Sequence, residues 1–105
     1  YPVRAAETSL SHGNNGNPPA LGLLRDGRLV LVYGFRGKPA LLKARISEDS
    51  GLSWGEELII KDGILNHDMG YPRLAVRPDG ACVAIYYCAT QELQEQHIEA
   101  TVFTV

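Results

Sequence analysis

The sequence predicts an all-β protein built of β-propeller blades, with about two four-stranded antiparallel blades in its 105 residues. Three observations carry that expectation. Short apolar runs bounded by turn residues fill the chain, an Asp-Gly pair twice separates two such runs, and a whole unit repeats. Shifted by 53 residues, NPPALGLLRDGRLVLVYG (17–34) falls on GYPRLAVRPDGACVAIYY (70–87), pairing Pro19 with Pro72, Leu21 with Leu74, Asp26 with Asp79, Gly27 with Gly80, Val30 with Val83 and Tyr33 with Tyr86. Self-similarity at such a period marks a repeat architecture.

Each unit reads as strand, Asp-Gly turn, strand. Both central positions of a two-residue hairpin turn favour positive φ, which Asp-Gly tolerates. A loop three residues longer, ATQELQEQ, then brings LKAR (42–45) onto IEAT (98–101) as a third strand. In the first unit the third strand leads through SEDSGLSW (47–54) into a fourth, GEELIIK (55–61); in the second the chain reaches Val105 where that motif would begin. The units are therefore assigned as 17–61, a complete blade, and 62–105, a blade lacking its outer strand, with 1–16 supplying the outer strand of a preceding blade and a loop. Inner strands apolar on both faces (LVLVYGF, ACVAIYY) suit blades with neighbours on either side, whereas a two-sheet sandwich would show cleaner alternation.

Within SEDSGLSW, Ser47 and Asp49 can accept hydrogen bonds from backbone N–H groups of a tight turn, Gly51 can take positive φ, and Trp54 can fold back over it. The window reads as a knot that pins a hairpin, with no catalytic part.

Bulk properties exclude several classes. Net charge is −2 and the basic residues are scattered, so no phosphate-tracking patch and no nucleic-acid partner is expected. The longest apolar run, ACVAIYYCA (81–89), is far below the ~20 residues of a membrane-spanning helix, and YPVRAAETSL lacks a signal-peptide pattern, which suggests a processed protein or a piece of a longer one. Cys82 and Cys88, six apart in one strand, lie roughly 20 Å apart, too far for a disulfide, and read as core residues. His12, His67 and His97 show no paired ligand spacing, so neither metal nor cofactor is expected.

SEDSGLSW fits the Asp-box (BNR repeat) pattern Ser-x-Asp-x-Gly-x-Ser/Thr-Trp, and the chain resembles the C-terminal third of the sialidase (neuraminidase) superfamily, whose fold is a six-bladed β-propeller. The resemblance implies a glycoside hydrolase acting on acidic, sialic-acid-type glycans, in a secreted or periplasmic setting. It implies that Arg36 of YGFRGKP takes the place of the third carboxylate-gripping arginine and Tyr71 of GYPRL that of the nucleophilic tyrosine, a neutral attacker suited to a substrate carrying a carboxylate. Many sialidases have Ser where Pro72 follows. The acid aspartate, two further arginines and the glutamate partner of the tyrosine would lie upstream, so the 105-residue chain alone is expected to be inactive.

Polar residues near the same face are candidates for substrate contact: His67 and Asp68 before Tyr71, and Asn17, with His12, Asn14 and Asn15, before the first unit. The competing expectation is a carbohydrate-binding propeller without turnover, assembled from two-blade subunits. Three copies would complete six blades, with YPVRAAET of one pairing beside IEATVFTV of the next.

Overall fold

The computed structural model describes residues 18–105, and these are all-β. Seven strands follow in order: β1 Ala20–Leu23, β2 Leu29–Phe35, β3 Ala40–Ser47, β4 Leu58–Ile64, β5 Gly70–Val76, β6 Cys82–Cys88 and β7 His97–Phe103. They form two antiparallel meanders, a four-stranded sheet β1-β2-β3-β4 and a three-stranded sheet β5-β6-β7. No helix among the described residues is long and apolar enough to cross a membrane. Residues 1–17, with Asn17 and the other amides and His12 of that loop, lie outside the described residues.

The repeat in the sequence is a repeat in the register. Leu21 pairs with Leu31 as Leu74 pairs with Ala84, and Val32 pairs with Ala44 as Ile85 pairs with Ala100. The turns repeat as well. Leu24 N donates to Arg28 O at 2.8 Å and Arg77 N to Ala81 O at 2.8 Å, while Gly27 N reaches Leu24 O at 3.0 Å and Gly80 N reaches Arg77 O at 2.9 Å. Their type differs from the two-residue turn expected from Asp-Gly. Only the glycines have positive φ, 96° at Gly27 and 91° at Gly80. Each aspartate stays at negative φ and accepts from the N–H two residues on, Arg28 at 3.1 Å and Ala81 at 3.0 Å, which favours a three-residue loop ending in a left-handed glycine.

The sheets pack face to face, and their shared core holds Val30, Val32, Leu42 and Ala44 from the first with Cys82, Ala84, Tyr86 and Cys88 from the second. A side chain at Gly22 would meet the Leu74 methyl at 2.7 Å, so β1 approaches β5 closely there. The two contacting faces are not equivalent. The first sheet offers Val30 and Val32, whose repeat partners Val83 and Ile85 point away from the interface; the second offers Leu74, Ala84 and Tyr86, whose partners Leu21, Leu31 and Tyr33 lie on the far face of the first. The stacking is therefore head to tail.

Its outward faces remain apolar. Leu21, Leu23 and Ile59 are about 60% exposed on one side, and Ile98 and Val102 are 70% and 57% exposed on the other. Such head-to-tail contacts do not close upon themselves with two units.

The motif at residues 47–54 closes the β3–β4 hairpin. Buried Ser47 accepts from Gly51 N at 2.8 Å and donates to Asp49 Oδ1 at 2.9 Å; Asp49 also accepts from Ser53 N at 2.8 Å and Ser53 Oγ at 2.5 Å. Gly51 has φ 90°, and the indole of Trp54 lies 3.8 Å from where its Cβ would stand. Trp54 is half-buried, not the fully sealed aromatic the motif suggests. The fourth strand starts at Leu58 and runs to Ile64, later than the 55–61 expected, because Gly55 N is still bonded to Ile46 O at 2.8 Å and Arg45 holds Gly55 O at 2.7 Å. Cys82 and Cys88 are free and buried.

Candidate functional site

The motif and both Asp-Gly turns lie at one end of the strands, and Arg36 and Tyr71 at the other. Arg36 follows the last residue of β2, in a loop whose turn back to β3 includes a cis Lys38–Pro39 bond. A Cβ at Gly37 would fall 2.2 Å from the Phe35 ring, so a side chain there would require that ring to move. Phe35 in turn carries the Lys43 ammonium 4.2 Å from its ring centre.

Tyr71 sits in an irregularity at the start of β5, where pairing with β6 breaks between Gly70 and Arg73. Gly70 has φ 120° and Tyr71 φ 47°, an unusual value for a tyrosine. Bulges re-aim side chains, and here the ring is left 58% exposed.

The two residues meet. The Arg36 guanidinium carbon lies 5.7 Å from the centre of the Tyr71 ring, within cation–π range. Arg36 Nε donates to Met69 O at 3.1 Å and Nη2 to the Tyr87 hydroxyl at 3.2 Å. Tyr87 donates to Asp68 Oδ1 at 2.8 Å, and its ring centre is 6.0 Å from that of Tyr71. Burial, then the hydrogen bond to Asp68, pushes the Tyr87 phenol up from its ordinary pKa, so it remains a protonated donor. Arg36, Asp68 and Tyr71 thus come together through Tyr87. No motif in the sequence marks Tyr87; its one signal is that it follows the repeated Tyr86 in IYY and falls on Gly34 of the first unit.

Arg36 also edges a cleft of about 640 Å³ with Lys38, Asn66 and His67, floored by Pro39, Ala40, Ile64 and Leu65. Two cations and a histidine over an apolar floor can hold an anion bearing an apolar or sugar body. Tyr71 borders a neighbouring cleft of about 420 Å³ with Pro18, Pro19, Leu21 and Leu74. The Arg36 guanidinium and the Tyr71 ring, within cation–π range of each other, thus each border one of two openings.

A second cluster lies where β4 meets β6 and β7. Cys88 Sγ, a His97 nitrogen and a Glu99 carboxylate oxygen are all within 4.8 Å of one another. His97 Nε2 is 2.7 Å from Glu99 Oε2, and Lys61 Nζ is 3.3 Å from Glu99 Oε1. Burial first, then Glu99, pushes the Cys88 thiol up to about 11. Glu99 is held below the usual carboxylate range, mainly by His97 and also by Lys61, whereas His97 is raised, first by its bond to Glu95 O and then by Glu99. Histidine spacing could not reveal this group, because it is made by strand pairing, Cys88 with His97 and Tyr86 with Glu99.

No family profile matches the chain, and no curated protein matches it significantly. It is similar to a crystal structure of a protein of unknown function from Dyadobacter fermentans, with 27% identity and a TM-score of 0.72. The match covers 89% of this chain but 26% of the other, so the chain spans about a quarter of that protein's length.

Proposed function

We propose that the two sheets are consecutive blades of a six-bladed propeller of the sialidase type, and that the protein carrying them is a glycoside hydrolase of acidic, sialic-acid-type glycans. Head-to-tail stacking with apolar faces open on both sides supports the propeller. The Asp-box hydrogen bonds at the end remote from Arg36 support it too. The function rests chiefly on one observation, the Arg36 guanidinium set against the exposed Tyr71 ring beside a cleft edged by Lys38 and His67. Arg36 would grip the sugar carboxylate and Tyr71 would attack the neighbouring anomeric carbon, with the acid, the base and the remaining arginines supplied by other blades.

Titration of the protein containing all its blades with a sialic acid and with a neutral hexose tests the binding half. Preference for the acid and an at least tenfold loss in Arg36→Ala, about 1.4 kcal/mol, are expected. Equal affinity for both sugars would sink it.

A binding propeller without turnover is the second reading. Pro72 after Tyr71 favours it, as does the use of Arg36 Nε and Nη2 within the protein, which leaves Nη1 as the nitrogen without a hydrogen bond among the described residues. In either case the open faces need partners, further blades of the same protein or two more copies of this chain. Sedimentation of the isolated 105-residue chain should give a trimer or aggregates; a stable, well-folded monomer would instead favour a closed two-sheet sandwich.

A further inference from the structure

We propose that Cys88, His97 and Glu99 form a binding site for a divalent transition-metal ion of the zinc type. The three donors are a thiol, an imidazole and a carboxylate, each a ligand type that zinc takes, and three protein ligands leave a fourth position for water. They lie within 4.8 Å of one another, and tetrahedral zinc with bonds of ~2.0–2.3 Å needs its ligands roughly 3.3–3.6 Å apart, so shifts of about 1 Å complete the geometry.

The orientation of His97 carries the argument further. Its Nδ1 is 2.8 Å from the Glu95 carbonyl, which can only accept, so Nδ1 bears the proton. In the neutral ring the Nε2 lone pair then faces the Glu99 carboxylate at 2.7 Å. Two lone pairs that close require a cation between them, either a second ring proton or a metal. A ring nitrogen bonded to a backbone carbonyl while the other faces outward is the usual posture of a ligating histidine.

Charge and access also fit. One thiolate and one carboxylate neutralise a divalent ion, Cys88 giving its proton to water. Cys88 is fully buried, while His97 and Glu99 keep partial exposure through which an ion can enter. The opposing group is Lys61, whose ammonium already neutralises Glu99. It sits on a long side chain that is one-third exposed and can turn to solvent. Tyr86, 3.5 Å from Glu99 Oε1 and bonded to Thr101 at 2.7 Å, stays in place as a neutral neighbour.

Cobalt(II) is the probe, added to the reduced full chain and followed by absorption. Saturable binding of one ion with a thiolate-to-cobalt charge-transfer band and four-coordinate d–d bands is expected, with displacement by zinc. Cys88→Ser should remove the charge-transfer band and Cys82→Ser should keep it. His97→Ala and Glu99→Gln, whose side chains are partly exposed and less needed for folding, should each weaken binding at least ~10-fold, and Lys61→Met should strengthen it. No saturable binding by the folded chain, a band that survives Cys88→Ser, or unchanged affinity in both His97→Ala and Glu99→Gln would overturn the site.

Discussion

The two ends of the strand stack are wired differently. At the turn end most side-chain hydrogen bonds join residues two to four apart, Arg28 and Ala81 to their aspartates, Gly51 to Ser47 and Ser53 to Asp49, with the bond from Arg28 Nη2 to Val105 O as the long-range exception. At the opposite end Arg36 reaches Met69 and Tyr87, 33 and 51 residues away, and Tyr87 reaches Asp68, 19 away. The first end forms largely within its own hairpins. The Arg36 bonds exist only when the two sheets are stacked, and this end carries the one described non-glycine residue of positive φ outside the box turn, Tyr71. Local wiring secures the strands so that long-range wiring can hold a group in an unusual conformation.

This contrast can be broken at either end. The largest stability effect is expected in the shared core, where Leu42→Ala should cost ~2–5 kcal/mol in denaturant melts because Leu42 is fully buried between the sheets. A loss below about 1 kcal/mol would mean the sheets are not packed together. At the turn end, Ser47→Ala leaves the Gly51 N–H without its buried acceptor and should cost ~1–3 kcal/mol while leaving sugar binding unchanged. Altered affinity would couple two ends that the wiring keeps separate.

Smaller effects sharpen the comparison. Asp26→Ala and Asp79→Ala should each lower the melting midpoint slightly and to a similar extent, since each aspartate accepts from the N–H two residues on in its turn. Asp49 is held below the usual carboxylate range, first by the Ser53 hydroxyl and then by Ser53 N and Ser47. A depressed carboxylate contributes stability above its unfolded pKa that is lost as pH falls through the folded one. The wild type should therefore weaken on acidification below the ordinary carboxylate range more steeply than Asp49→Asn, as melts across that range would register.

The same contrast explains what could be read from the sequence. SEDSGLSW and the two Asp-Gly pairs announce their turns because those residues bond within their own window, and the 53-residue repeat gives the order of the strands in both units but not the start of β4. The turn type is not legible because Asp-Gly fits two loops, and the choice depends on whether the aspartate is better used as an acceptor than at positive φ. Arg36 and Tyr71 could be placed at one end from strand direction, but their contact through Tyr87 could not, since IYY gives no sign of which tyrosine faces the loop before β5. The Cys88, His97 and Glu99 group was invisible for the same reason: its members share a face only by virtue of the β6–β7 register.

On the proposed reading Tyr71, held at positive φ against Arg36, is a nucleophile and not a packed aromatic. Initial-rate kinetics of Tyr71→Phe on a sialoside, in the protein containing all its blades, test it most directly. The account predicts kcat reduced by about 10³-fold or more with KM little changed, because the hydroxyl is needed only when the bond forms. Full kcat in Tyr71→Phe would contradict it.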